Sequence, residues 1–318
     1  MPSTAKPQPQ LTVSLPSFAA EDPGGWSHLF ARAKAADAAG VDRVMCSDHV
    51  VFGERLEEYG KAETGGTAGG RQPTGPDGHW LEPLTTLSVI AGMTSRIRLR
   101  TQILIAALRR PAVLAKSAAT LDVLSGGRLD LGVGVGWQAE EYEAAGLPYE
   151  GRGRLLDHTL EVCQLLWREQ RAAYSSPELK FQAIHQMPKP LQAGGVPLWI
   201  AGTLRSSTVR RIAQFGSGWI PWGPDAADLT QSIPRLKAAL AELGADPSAL
   251  QVVGRLRGRK GEGAAGVIAN LDSVAAQAEA GATDFVLEAD IPPDQAAAEA
   301  LLGEIVPAFR KAVGRPAA

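Results

Sequence analysis

Short strand-like runs alternate with longer helix-like stretches along the whole chain, and this alternation constrains the fold more than any other feature. Residues 11–15, 41–47, 97–105, 129–135, 197–201, 218–220, 250–256 and 284–287 read as eight strands. Between and after them, 26–39, 82–93, 111–124, 152–169, 205–215, 226–243, 270–280 and 295–312 read as helices. The first helix shows the reasoning: Trp26, Leu29, Phe30 and Ala33 recur at helical spacing, and Gly40 suits a left-handed C-cap. Alternation of this kind implies parallel strands joined by crossover helices.

Two architectures satisfy that pattern, an open doubly wound sheet and a closed barrel. The open dinucleotide-binding sheet places a glycine-rich phosphate turn after its first strand. Here the first strand runs into Pro16-Ser17-Phe18-Ala19-Ala20-Glu21-Asp22-Pro23, which holds no such turn. Eight strand–helix units in 318 residues match a (β/α)8 TIM barrel instead, of class α/β. The expected organisation is a flexible N-terminus over 1–10, a single barrel domain over 11–312 and a tail over 313–318. Residues 52–79 break the rhythm with two Gly-Gly pairs, Pro73, Pro76 and many charges. A stretch this long without periodicity, leaving the C-terminal end of the second strand, reads as a lid over a site. Residues 171–195 and 258–266 are also irregular and are expected on the same side.

Composition removes several classes of function. Lys and Arg total 32 against 34 Asp and Glu, a net charge of −2, so no basic surplus exists to neutralise a nucleic-acid backbone. No apolar run approaches the roughly 20 residues of a spanning helix, and residues 1–10 lack the apolar core of a signal peptide. A cytoplasmic protein without membrane or nucleic-acid partners is expected. The two cysteines, Cys46 and Cys163, suggest neither a disulfide framework nor a metal site, and Cys46 reads as a small buried hydrophobe.

Chemistry concentrates at the strand ends. Ser47-Asp48-His49 closes the second strand, where a barrel projects side chains into its mouth, and imidazole moves protons near neutrality. Leu131-Gly132-Val133-Gly134-Val135-Gly136-Trp137 fails as a dinucleotide fingerprint, because Trp137 stands at the third glycine. Glycines there would let a flat ring lie against the backbone, or would mark a strand kink. Ala201-Gly202-Thr203 leads into Ser206 and Ser207 at a helix N-terminus, which is either an ordinary cap or an anion site. Arg109 could meet an acidic group or lie solvated. Glu82, before Pro83, reads as a helix start, and Glu140 and Glu141 as acids complementing a helix dipole. Arg154 and Asp157 are expected to pair, and His158 to be structural. No zincin, Walker, nucleophile-elbow or C-x-x-C motif occurs.

Ser47-Asp48-His49, Trp80-Leu81-Glu82-Pro83-Leu84, the block from Ala115 to Trp137, Pro188-Lys189-Pro190, Trp199-Ile200-Ala201-Gly202 and Gly218-Trp219-Ile220-Pro221 together resemble the bacterial luciferase-like monooxygenase superfamily. Within it the chain looks most like the branch using the deazaflavin coenzyme F420 rather than FMN. The resemblance implies a TIM barrel whose mouth holds the tricyclic ring, with His49 beside the reactive edge as the catalytic residue. It implies a bulge with a non-proline cis peptide at Gln102–Ile103 and a phosphate on Gly202-Thr203. Expected cofactor contacts are Asp48, Gln102, Ile103, Gly134, Val135, Gly136, Trp137, Ala201, Gly202, Thr203 and Ser206; no metal ligand is expected. Gly53 and Trp137 replace a Trp and a Glu of the family's sugar-phosphate dehydrogenases, which argues against glucose-6-phosphate as substrate. The leading expectation is hydride transfer between coenzyme F420 and a small organic substrate. The alternatives are an FMN-dependent monooxygenase and a barrel that binds the ring without turnover. Expected partners are the substrate, a second copy in a homodimer and a separate cofactor reductase.

Overall fold

The eight expected strands all form and close on one another. In the computed structural model, which describes residues 8–61 and 69–316, the barrel strands are β1 (Gln10–Ser14), β2 (Arg43–Cys46), β3 (Arg98–Leu104), β4 (Leu129–Val133), β5 (Leu198–Gly202), β6 (Gly216–Pro221), β7 (Gln251–Arg257) and β8 (Asp284–Glu288). Of the segments singled out above, residues 1–7, 62–68 and 317–318 lie outside the described residues. Every barrel strand pairs in parallel with its sequence neighbours, and β1 closes the ring on β8 from Gln10↔Asp284 to Val13↔Leu287. The connecting helices are α1 (Ser27–Ala39), α2 (Pro83–Met93), α3 (Pro111–Leu124), α4 (Arg152–Arg168), α5 (Ser206–Phe215), α6 (Leu229–Glu242), α7 (Leu271–Ala280) and α8 (Gln295–Ala312).

Local chemistry explains several boundaries. Gly40 ends α1 in the left-handed region at φ 87°. Glu82 caps α2 by accepting the Thr85 N–H at 2.7 Å, with Pro83 in the first helical turn. The two cysteines are buried, and burial pushes the Cys46 thiol up to about 12, so it packs as an inert hydrophobe. Among the described residues no helix is long and apolar enough to cross a membrane.

The barrel interior departs from the usual filling of branched aliphatic side chains. Below an apolar layer that includes Met45, Ile220, Val253 and Val286, the fully buried Arg43 and Arg100 meet Asp130 and Asp284. Arg43 Nε lies 3.0 Å from Asp130, and its Nη1 also bonds Asp284; Arg100 Nη1 reaches Asp284 at 2.9 Å. Arg98 adds a two-pronged contact to Asp130 at 2.7 and 2.8 Å. The Trp199 ring packs against both buried guanidiniums, at 5.0 and 4.6 Å. It fits because Gly218 has no side chain: a Cβ there would stand 2.4 Å from the indole.

Two small sheets decorate the barrel. Phe18–Ala19 pairs antiparallel with His79–Trp80, fastening the end of the 52–79 segment to the loop after β1. Ala172–Ser175 and Lys180–Ile184 form a hairpin inside the stretch expected to be irregular. The 171–195 stretch was expected on the catalytic side but does not reach the cavity at the strand ends, whereas 258–266 leaves the C-terminal end of β7, on the catalytic side as expected, without lining the cavity. The reason is connectivity: 171–195 links a helix to the start of β5, and its Gln192 is held by Asp122 near the end of α3. Asp157 also finds another partner than expected. It bonds Arg211 of α5 rather than Arg154, one turn away on its own helix.

Candidate active site

A cavity of about 1090 Å³ opens at the C-terminal ends of the strands. Sites for one small ligand span roughly 300–1,000 Å³, so this one has room for a cofactor together with a second molecule. All the expected catalytic and cofactor residues line it except Ser206; its neighbours Ser207 and Thr208 do. Tyr59, Gln72 and Pro73 of the 52–79 segment also line it.

His49 stands in the wall at the end of β2, its side chain only 10% exposed. Phe52 and Trp80 lie 4.6 and 4.7 Å from its ring, Trp80 edge-on, and Trp137 at 5.9 Å. Its Nδ1 lies 3.2 Å from Glu141 Oε1. A carboxylate only accepts hydrogen bonds, so this contact makes Nδ1 a donor; in the neutral ring Nε2 then carries the lone pair. Glu141 is buried; its Oε1 also accepts the Val50 N–H at 2.8 Å, and Oε2 has no partner among the described residues.

Sequence reasoning gave Glu141 only a dipole role. It does open the short helix Ala139–Ala144, but its side chain turns back to His49, 92 residues away. The neighbouring side chains repeat the arrangement. Gly53 N–H donates to Gln138 Oε1 at 2.6 Å, Gln138 Nε2 donates to the Val51 carbonyl at 3.0 Å, and Arg55 Nε reaches Glu140 at 2.7 Å. The loop after β4 thus grips the loop after β2. Gly53 allows the close approach, since a Cβ would lie 2.3 Å from Glu140 Cγ.

Asp48 lines the cavity, yet its carboxylate is spent inside the protein. It accepts the Ile105 N–H at 2.9 Å and pairs with Arg109, which also reaches Glu82 at 3.1 Å. Burial opposes the Arg109 charge, but Asp48 and Glu82 together more than offset it and hold the guanidinium above its usual range.

The glycine run after β4 is held from outside: Tyr142 Oη donates to the Val135 carbonyl at 2.6 Å and Tyr149 Oη to that of Trp137 at 2.8 Å. The missing side chains make room first for the β3 end. A Cβ on Gly134 would stand 3.0 Å from Ile103, and one on Gly136 3.1 Å from Ile105. The Gln102–Ile103 peptide is cis, as expected. Trp137, facing Tyr59, has an indole N–H with no acceptor among the described residues.

At the other end, Gly202 sits at φ 147°, where a Cβ would approach Thr208 Oγ1 to 3.2 Å. The Leu204 N–H is taken by Asp225 at 2.7 Å, and no side chain caps α5. The donors open to an anion are therefore the first N–H groups of α5, flanked on the wall by Arg152, Arg154, Arg205 and Arg210.

Comparison with known proteins agrees with this architecture. The family model of the luciferase-like monooxygenases matches residues 10–279. The Mycobacterium tuberculosis (strain ATCC 25618 / H37Rv) protein Rv0953c is 34% identical over 166 residues, covering 52% of this chain and 58% of its own. A phthiodiolone/phenolphthiodiolone dimycocerosates ketoreductase of Mycobacterium bovis (strain BCG / Pasteur 1173P2) is 29% identical over 174 residues, covering 53% of this chain and 45% of its own. The matched stretches thus span about half of these relatives. An F420-dependent secondary alcohol dehydrogenase in complex with an F420–acetone adduct superposes with TM-score 0.72 at 16% identity, over 95% of this chain and 99% of that one. The EDTA monooxygenase of Chelativorans sp. BNC1 gives 0.69 at 14% identity, over 97% and 99%. At such identities the structural likeness speaks for the fold alone.

Proposed function

The chain belongs to the luciferase-like monooxygenase family, and from that premise we propose that it transfers hydride between coenzyme F420 and a small organic carbonyl or alcohol. The observation that carries this reading is the His49–Glu141 pair in an aromatic wall of the cavity. Reducing a carbonyl to an alcohol requires a hydride on carbon and a proton on oxygen. In alcohol oxidation the lone pair of His49 Nε2 takes the hydroxyl proton; in carbonyl reduction the imidazolium, protonated on both nitrogens and facing Glu141 through Nδ1, gives that proton to the oxygen. Phe52, Trp80 and Trp137 keep water from Nε2.

The cavity fits the cofactor in three respects. The Trp137 indole N–H lacks an acceptor among the described residues, the first turn of α5 offers N–H groups to a phosphate, and Gln102, Ile103, Gly134 and Ala201 form an adjoining wall. Bound there, the deazaflavin supplies or accepts the hydride. The 52–79 segment acts as the lid, through Tyr59, Gln72 and Pro73 on the cavity wall. The ketoreductase relative and the alcohol dehydrogenase neighbour support carbonyl chemistry.

A second reading, an FMN-dependent monooxygenase supplied by a separate reductase, draws on the EDTA monooxygenase neighbour. The homodimer remains part of the proposal: Val89, Met93, Val113 and Leu124 expose apolar surface on α2 and α3. Equilibrium titration with coenzyme F420 and with FMN, followed by fluorescence, separates the two readings. Preferential binding of FMN, with oxygen consumed during turnover, overturns the first.

A further inference from the structure

One cation on the cavity wall has no carboxylate to answer it among the described residues. Arg32, on α1, lines the cavity and is half-buried. Its Nη1 donates to the Ser14 carbonyl at 3.3 Å and its Nη2 to the Ile291 carbonyl at 2.9 Å; its buried Nε has no partner among the described residues. A guanidinium carries donors on all three nitrogens, so two bonds to neutral carbonyls leave donors idle and the charge unmatched. Burial accordingly holds Arg32 below its usual range. Other buried arginines are better served. Arg43, Arg98, Arg100 and Arg109 each meet a carboxylate. Arg128 instead donates from Nε, Nη1 and Nη2 to backbone carbonyls, and Arg310, which keeps an idle Nε, does not line the cavity.

The carboxylates on the cavity wall are already engaged. Asp48 pairs with Arg109, Asp157 with Arg211, and Glu288 with Arg255 and Arg257. Position separates Arg32 from the cofactor phosphate as well. The arginines flanking the phosphate site belong to α4 and α5, around β5, and the closed ring sets β5 opposite β1. Arg32 belongs to the β1 side: it holds the carbonyl of Ser14, the last residue of β1, and β1 pairs with β2, beyond whose end His49 stands. The loop after β1 pairs in turn with His79–Trp80, and the Trp80 ring lies 4.7 Å from that of His49. An anion at Arg32 is therefore a different group from the phosphate, carried by the molecule that meets His49.

Resting on the hydride transfer proposed above, we infer that Arg32 anchors a carboxylate of the substrate, which makes the substrate an oxo or hydroxy acid rather than a neutral ketone or alcohol. One guanidinium matches the single charge of a carboxylate, and in a half-buried wall their attraction is weakly screened. The reaction itself balances as before. The carbonyl carbon gains hydride from the reduced cofactor, its oxygen gains the proton of His49, and the carboxylate leaves unchanged. Arg32 is a specificity residue; neither hydride nor proton passes through it.

The test is calorimetric titration of the whole protein, loaded with whichever of F420 and FMN it binds, with pyruvate, acetoacetate and levulinate and with the methyl ester of each. The wild type is expected to bind at least one acid roughly tenfold or more tightly than its ester, the worth of a hydrogen bond to a charged group, with a gap that narrows as salt is added. Arg32→Met and Arg32→Gln should bring acid and ester to within about threefold of each other, and Arg32→Lys, which keeps the charge, should retain part of the preference. In steady-state reduction of the acid, the loss should fall on KM rather than on kcat. Circular dichroism and cofactor affinity, read on the far side of the ring, show that each variant is folded. Wild-type protein that binds the esters as tightly as the acids, or that binds a cofactor but none of these compounds, overturns this inference alone. So does an unchanged ratio in Arg32→Met and Arg32→Gln, which would make Arg32 a strut between β1 and the loop after β8. If neither cofactor binds, the proposed function falls, and this inference with it.

Discussion

Replacing Glu141 by Gln tests whether the carboxylate holds His49 for catalysis or only ties two loops together. The substitution keeps the volume and an acceptor for the Val50 N–H, so the fold should survive. What it removes is the charge facing His49 Nδ1 at 3.2 Å. A hydrogen bond to a charged group contributes about 1.5–3 kcal/mol and a neutral one about 0.5–1.5 kcal/mol, so roughly 1–2 kcal/mol is at stake. Expressed fully in the transition state, that lowers the hydride-transfer rate by about 5- to 30-fold. Glu141→Leu should do more. It also leaves the buried Val50 N–H without a partner, costing about 1–3 kcal/mol of stability. The assay is single-turnover oxidation of the bound reduced cofactor by a panel of ketones, read by absorbance. Nitrogen-15 NMR of the His49 ring reports its tautomer alongside. The wild type should show the proton on Nδ1, and Glu141→Leu should show a mixture. A Glu141→Gln protein with wild-type rate, beside a slow His49→Ala protein, would mean that His49 works without an orienting carboxylate.

Three further outcomes follow from the geometry. His49→Ala should lower turnover by about 10²-fold or more, the worth of a general acid–base group, with a much smaller change in cofactor affinity; wild-type turnover would leave the proton route unassigned. Gly202→Leu should weaken cofactor binding at least about tenfold, because Gly202 sits at φ 147° and the new side chain would crowd the N-terminus of α5; unchanged affinity in titrations with F420 and FMN would remove the phosphate from this loop. Asp130→Asn should cost several kcal/mol near neutral pH, since removing one member of a buried ion pair costs about 3–5 kcal/mol. Burial alone would raise the Asp130 carboxyl, but Arg43 and Arg98 hold it below the usual range. The wild type's advantage is therefore complete above the ordinary carboxylate value of about 4 and shrinks as pH falls through the folded value. Urea unfolding across pH checks this, and a gap that widens in acid would contradict it.

How much of this was legible in the sequence depends on the distance over which each feature is decided. The eight strands and their helices follow from local periodicity, and Gly40 or Pro83 mark boundaries through their own backbone preferences. His49 could be picked out because a strand end in a barrel is a place as well as a residue. Glu141 could not: its partner is 92 residues away, and a Glu in a first helical turn already has a sufficient local reason to be there.

The third strand shows the limit most clearly. Its sequence alternates Leu99 with Arg100 and Thr101 with Gln102, the pattern that in an antiparallel sheet marks a wetted face. In a closed barrel both faces are covered, and the polar side turns inward. Arg100 and Leu99 are equally inaccessible to water. Periodicity tells which residues share a side of the strand, and only closure tells which side is the interior. The charges of Asp130 and Asp284 carried the same ambiguity, each at the start of its own short strand. Once the ring closes, these three strands and β2, which carries Arg43, can set their charges against one another in the barrel interior, and a pattern that reads as solvent-facing in each strand becomes a charged layer beneath the apolar floor of the site.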